Sequence, residues 1–271
     1  MKERVYSLVQ KSNHAPKKTL KQCLYAWDVI RTMPYRIGTK ECLPSPKLMH
    51  LVAGSPDPRL FLESGRCAAG NILEIMRRNN INIKDFTSIL DFGCGCGRVI
   101  RHFSFLGKRM YGVDYNPKLA KWCQKSLPFG SFSTNNLLPP LNFADNSFDL
   151  IYALSVFTHL PESAQIAWMK EFHRILKPNG YLLITTRGEG EAKDLKPDEL
   201  KCFQQGQLIV RGFDAGSNSC NTYHPQTYVK KKLAQNYESI DFAPKDTFKN
   251  PHQDYYLLKK TKTTTQNHCT L

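Results

Sequence analysis

The stretch Ser88-Ile89-Leu90-Asp91-Phe92-Gly93-Cys94-Gly95-Cys96-Gly97-Arg98 decides the fold. Ser88 to Asp91 is a short apolar run that reads as a strand, and Val99 to Leu106, beyond the glycines, reads as a helix. Alternate glycines permit a tight turn and let a ligand approach bare backbone. Open α/β sheets place their ligands at such a loop, outside a strand's carboxyl end. A second acid, Asp114, ends the next apolar run about twenty residues beyond Gly93, a spacing that brings a carboxylate to ribose hydroxyls.

A dinucleotide site uses a similar device, but its G-x-G-x-x-G pattern fails here. Counted from Gly93 the last position is Arg98, counted from Gly95 it is Ile100, and the third glycine falls at Gly97. Asp91 would repel a pyrophosphate and attract an ammonium group. The loop therefore suits a cationic nucleoside without phosphates.

Outward from the loop, strands and helices alternate. Arg109 to Asp114 reads as a strand and Pro117 to Ser126 as a helix, with proline in the first turn where its missing donor costs nothing. Gly130 to Thr134 is a weaker strand, and Phe148 to Leu154 is a strand buried on both faces. Pro161 to Leu176 is a helix with Ile166, Met169, Phe172, Ile175 and Leu176 on one stripe, stopped by Lys177-Pro178-Asn179-Gly180. Tyr181 to Thr185 is a fifth strand, His224 to Asn236 a helix, and Tyr237–Phe242 and Tyr255–Leu258 two more strands. Alternation predicts parallel strands with right-handed crossovers, and the last two strands, with no helix between them, pair antiparallel. The expected fold is α/β: a Rossmann-like, seven-stranded, mostly parallel sheet with an antiparallel last strand, helices on both faces and an N-terminal helical extension.

That extension, residues 1–66, carries Leu20, Cys23, Leu24, Trp27, Val29 and Ile30 at near-helical spacing, and could cap a substrate. Pro44, Pro46, Pro56 and Pro58 predict an extended or turning stretch over 43–58. The main domain spans 67–260, interrupted by a polar insert at 188–222 that could bind substrate, and 261–271 is a polar tail.

Hydrophobic residues make up 41% and charged residues 23%, a balance that suits a soluble globular chain. No apolar run reaches the roughly 18 residues of a membrane span, and Met1-Lys2-Glu3-Arg4 has no apolar stretch behind its charges. A cytoplasmic location follows as an expectation. The nine cysteines lack metal-ligand or framework spacing and read as reduced thiols, with no metal site. The formal charge is +15. Residues 1–50 hold ten Lys or Arg (Lys2, Arg4, Lys11, Lys17, Lys18, Lys21, Arg31, Arg36, Lys40, Lys47) against Glu3, Asp28 and Glu41, a net of +7. Such an arm can meet RNA, an anionic lipid surface or an acidic substrate, or simply be a solvated basic surface.

Asp91-x-Gly93-x-Gly95-x-Gly97 resembles the first motif of the class I S-adenosylmethionine-dependent methyltransferases. Phe143-Ala-Asp-Asn-Ser-Phe-Asp-Leu150 resembles the approach to that family's fourth strand, and Leu176-Lys-Pro-Asn-Gly-Tyr-Leu182 the entry to its fifth. The resemblance covers residues 70–187 well and 224–260 loosely, and is nearest to the bacterial small-molecule group. It implies S-adenosylmethionine as cofactor, direct displacement as mechanism and a small-molecule acceptor. Asp91, Gly93 and Gly95 would line the methionine part, Gly97 would permit close packing, and Asp114 would hold the ribose hydroxyls. Asn116 would help there or serve as a helix N-cap. Where the family often has an Asp for the adenine amino group, this chain has Asn135-Asn136-Leu137, which leaves Asn136 and Leu137 as the adenine contacts. Ser155 and Phe157 would lie beside the transferred methyl group.

A base is needed only if the acceptor must lose a proton. His159, on the rim after the fourth strand, is the first candidate, or else caps a helix or packs on the adenosine. Tyr223 and His224, after the insert, are further candidates, or else ordinary residues before the Pro225 helix start. Arg98 would bind a carboxylate or lie solvated. Methylation of RNA or protein through the basic arm, and cofactor binding without catalysis, stay open. Ser155-Val-Phe-Thr158 stands where amino-directed nucleic-acid methyltransferases carry an Asn/Asp-Pro-Pro-Tyr/Phe run.

Overall fold

The computed structural model describes residues 17–106, 109–212 and 220–261. The chain divides into two units, Met1–Ser64 and Gly65–Leu271. In the first, helix α1 (Lys17–Gly38) is followed by a short helix α2 (Pro46–Ala53). The proline-rich stretch thus holds a helix where an extended or turning segment was expected. Pro46 takes a first-turn position, Ser45 caps the helix by accepting from Leu48 N–H at 3.4 Å, and Gly54, at φ 68°, ends it. Pro58 likewise begins helix α3 (Pro58–Arg78). The polar tail expected at 261–271 lies, after Thr261, outside the described residues.

The second unit is a seven-stranded sheet. Its strands are β1 (Ser88–Phe92), β2 (Arg109–Asp114), β3 (Gly130–Thr134), β4 (Phe148–Ala153), β5 (Leu176–Thr186), β8 (Tyr237–Ala243) and β9 (Asp254–Lys260), arranged β3-β2-β1-β4-β5-β9-β8. β1 to β5 run parallel. β9 is antiparallel to both neighbours, so the last strand inserts between β5 and β8 instead of lying at the edge. Helices α4 (Pro117–Ser126) and α5 (Glu162–Ile175) connect strands. The insert forms helix α6 (Pro197–Gln204) and a two-stranded ribbon of β6 (Ile209–Arg211) with β7 (Asn221–Tyr223).

The pleat sorts side chains to two cores. Leu182 and Ile184 join Phe92, Trp168, Phe172 and Ile175 on one face. Leu183 joins Ile89, Leu150 and the α3 residues Ile72, Ile75 and Met76 on the other. Two helix expectations shift. Val99–Leu106 is a 3-10 helix over Ile100–Leu106, because Ile100, Phe103 and Leu106 repeat every three residues and face one core together. The helix expected over His224–Asn236 runs only from Gln226 to Leu233, its last part a π-helical turn from Val229.

Strand order reverses direction between β1 and β4, since β2 and β3 lie to one side and β5 to the other. That opens a crevice at the strands' carboxyl ends. Register places Asp91 beside Gly112 and Tyr152, and Asp114 beside Thr134.

Candidate cofactor site

The glycine loop leaves β1 at this crevice. Gly93, Gly95 and Gly97 all have positive φ, 79°, 57° and 71°. At two of them a side chain would also need its neighbour to move: a Cβ on Gly93 would run into Val156 Cγ2, and one on Gly97 into Leu127 Cδ1. The turn is pinned by Gly93 N–H and Cys94 N–H, which both donate to Val113 O, at 2.8 and 3.0 Å.

Asp114 finishes β2 and holds the loop. Its Oδ2 accepts from Gly95 N–H at 2.8 Å and its Oδ1 from Asn116 N–H at 2.8 Å. Burial pushes its carboxyl up, against the pull of those two amides. Asp91 is more perturbed. It is 4% exposed, and its Oδ2 is buried without a hydrogen-bond partner. Burial lifts its pKa from 3.8 to about 7; the Tyr152 hydroxyl and the Arg98 guanidinium favour the anion, and Asp114 opposes it. Arg98 is itself largely enclosed. Its Nη1 reaches Asn250 Oδ1 at 3.3 Å, its Nε has no partner, and burial holds its pKa below the ordinary guanidinium value. A crevice that keeps one carboxylate oxygen dry and unbonded favours a ligand that brings a positive charge or a donor to it.

The far side of the crevice is the end of β4. Ser155 has φ 58°, unusual for a residue with a side chain. Its N–H donates to Thr185 Oγ1 at 2.8 Å. The hydroxyls of Ser155 and Thr185 both donate to Gln253 Oε1, at 3.1 and 2.7 Å. This network clamps the turn after β4 to the ends of β5 and β9.

A model of the methyltransferase domain family matches residues 90–184, from β1 into β5. Residues 90–184 are thus similar to the methyltransferase domain family. The 2-methyl-6-phytyl-1,4-hydroquinone methyltransferase of Synechocystis is 30% identical over 102 residues, 36% of this chain and 31% of its own. A mitochondrial arginine hydroxylase of Mus musculus is 30% identical over 141 residues, 49% of this chain and 38% of its own. The matched stretch thus spans about a third of the length of these curated relatives. Among solved structures, a SAM-dependent methyltransferase from Methanosarcina mazei superposes with a TM-score of 0.51 at 23% identity, over 68% of this chain and 97% of that one, a likeness of fold.

The switch point of the sheet brings Asp91, Gly93, Gly95, Gly97, Asp114 and Asn116 to one crevice. Asn116 is the N-cap of α4, accepting from Lys118 N–H at 3.0 Å. Asn136 and Leu137 follow β3 on the same edge; Asn136 is exposed, and Leu137 is half-buried and accepts from Trp168 Nε1 at 2.9 Å. Phe157 departs from the expectation. It is fully buried among Trp168, Phe172 and other core residues, its ring 6.3 Å from that of Phe172, so it supports the rim from beneath instead of lining it.

His159 ends the short 3-10 turn Phe157–His159 and is half-buried, with Nδ1 2.8 Å from Cys220 O. A carbonyl accepts, so Nδ1 carries the proton and Nε2 is the basic nitrogen of the neutral ring. His224 is different. It is wholly enclosed, its Nε2 is 3.0 Å from Gln165 Oε1, and burial lowers its pKa to about 3. Its ring is a neutral core group with no route to an acceptor. Tyr223 is also enclosed, packed with Leu195 and Phe203 while the Arg187 and Arg211 guanidinium carbons lie 5.9 and 5.3 Å from its ring centre. Sequence reasoning missed Tyr152, Thr185 and Gln253. Tyr152 was open to view as the register neighbour of Asp91 once the parallel strands were aligned; Thr185 and Gln253 carried no such signal.

Proposed function

We propose that the chain transfers a methyl group from S-adenosylmethionine to a small-molecule acceptor by direct displacement. The observation that carries this reading is the pair of buried acids, Asp91 and Asp114, on neighbouring strand ends around a glycine bend at the sheet's switch point. Asp91, with its unbonded oxygen, fits the ammonium end of the donor. Asp114 would accept from the ribose hydroxyls while holding Gly95, and Asn136 and Leu137 would border the adenine.

Bound S-adenosylmethionine supplies an electrophilic methyl group on a sulfonium. The protein's part is orientation and exclusion of water, which together can be worth about 7–11 kcal/mol of barrier in favourable cases. Ser155, held in its left-handed turn by Thr185 and Gln253, shapes the rim on the methyl side. His159 takes a proton at Nε2 when the acceptor is a hydroxyl or an ammonium. Acceptor selectivity comes from the 188–222 insert. Similarity to the Synechocystis hydroquinone methyltransferase supports a small-molecule acceptor, and the missing Asn-Pro-Pro-Tyr run speaks against amino-directed nucleic-acid methylation.

Calorimetry with S-adenosylmethionine and with NAD tests the donor. Tight binding of the first and none of the second supports the reading, and Asp114→Ala abolishes the binding. Turnover of labelled donor with cell metabolites, compared with RNA, tests the acceptor. Binding without any methyl transfer would favour another chemistry on the same domain, the case that the mouse hydroxylase raises.

A further inference from the structure

Helix α1 is built inside out. Trp27, Ile30, Met33 and Ile37 are 47%, 67%, 45% and 80% exposed. They recur at steps of three and four residues and form one face, which Cys23 extends. The opposite face is polar and packed. Thr32 is buried and donates to Asp28 O at 2.7 Å. Arg36 donates to Pro44 O at 2.9 Å, Arg31 to Asp57 Oδ2 at 3.2 Å, and the Tyr25 ring meets the edge of His50 at 5.5 Å. All these partners lie in the same N-terminal unit. A helix of a soluble domain does the reverse, burying its apolar stripe and solvating its polar one. Single exposed apolar residues are ordinary, but a continuous stripe marks a contact surface.

We propose that this face docks on an anionic phospholipid bilayer, with α1 lying in the interfacial plane. Charge selects this occupant. The first 50 residues carry a net +7, which an anionic leaflet attracts and a second copy of the same chain repels. Nucleic-acid phosphate would answer the charge but would leave Ile30 and Ile37 in water. A bilayer interface satisfies both, and Trp27 has the ring that favours that depth. No helix of the described residues is long and apolar enough to cross a membrane, so the contact is with one surface. Joined to the methyl-transfer reading, the contact brings the enzyme to a substrate that partitions into lipid; the contact itself does not depend on that reading.

The test is co-sedimentation of the full chain, without donor, with phosphatidylcholine vesicles containing or lacking phosphatidylglycerol. The chain should bind the anionic vesicles at least about tenfold more tightly, with affinity falling as salt is raised. The double variant Ile30→Asp/Ile37→Asp should lose about tenfold or more, while Ile30→Leu/Ile37→Leu retains binding. Circular dichroism checks the fold of both; should the aspartate pair not fold, Trp27→Ala, at an exposed position, gives the same comparison. Equal binding by wild type and the folded stripe variants overturns the proposal. So does failure of the wild type to bind anionic vesicles, a wild-type dimer in sedimentation that the stripe variants dissolve, or binding to RNA that the stripe variants leave unchanged while vesicles are ignored.

Discussion

Replacing Asp91 by Asn should stabilise the ligand-free protein and cripple its cofactor binding. The ionised side chain sits in a dry crevice that lifts its pKa from 3.8 to about 7, with the attraction of Arg98 already counted. An acid whose folded pKa is raised holds its proton longer when folded than when unfolded. Its stability contribution is complete below pH 3.8, falls by about 1.4 kcal/mol per pH unit up to pH 7, and is flat above. At pH 8 the penalty for carrying the charge reaches roughly 4 kcal/mol, and at pH 5 it is under about 2 kcal/mol. Asn has the same shape and no charge to desolvate. Asp91→Asn should therefore raise Tm at pH 8 by at least about 4 °C, with a smaller gain at pH 5. Scanning calorimetry at both pH values measures this. Calorimetric titration supplies the other half. Because S-adenosylmethionine brings positive charge, wild-type affinity should fall about tenfold from pH 8 to pH 6, with a proton released on binding. The Asn variant should bind at least about tenfold more weakly and show no such pH dependence. A variant less stable than wild type at pH 8, or a gain independent of pH, would refute the account of Asp91 as a desolvated charge. Affinity within twofold of wild type would remove its role toward the ligand.

Gly97→Ala should destabilise by about 2–4 kcal/mol in chemical denaturation, since it adds a left-handed backbone cost to a clash with Leu127; a loss below about 1 kcal/mol would show that the loop yields. His159→Ala should lower kcat for a hydroxyl or ammonium acceptor by about 10²–10⁴-fold and leave donor affinity unchanged; full turnover would withdraw the base role. Asp149 accepts from Thr87 N–H at 2.8 Å and Lys177 Nζ at 2.8 Å, and despite some burial these bonds hold its pKa below the ordinary value. Asp149→Asn should cost about 1–2 kcal/mol at neutral pH. That loss should vanish as pH falls below 3.8 and through the lowered folded pKa, and a loss independent of pH would contradict it.

Much of the domain was legible because its signals are local. The apolar runs at 88–92 and 148–153, the glycine bend and the helix from Glu162 are each set by neighbours within one or two turns of chain. The N-cap role of Asn116 was legible for the same reason. The departures arose where distant residues compete for one core. Phe157 looks like a rim residue by its position after β4, yet the apolar face of α5 draws it inward. His224 reads as a polar residue before a helix, yet Gln165 and the backbone around Arg187 enclose it.

From the chain of residues alone came the two acids, the glycine bend between them and the parallel order of the strands, because hydrophobic period and turn chemistry are written within short windows. Tertiary structure decided which polar groups keep a dry, unbonded atom at the crevice, which histidine stays neutral inside the core and which face of α1 meets water. Those outcomes depend on burial, and burial is a property of what the rest of the chain packs around each group, not of the group's own neighbours in sequence.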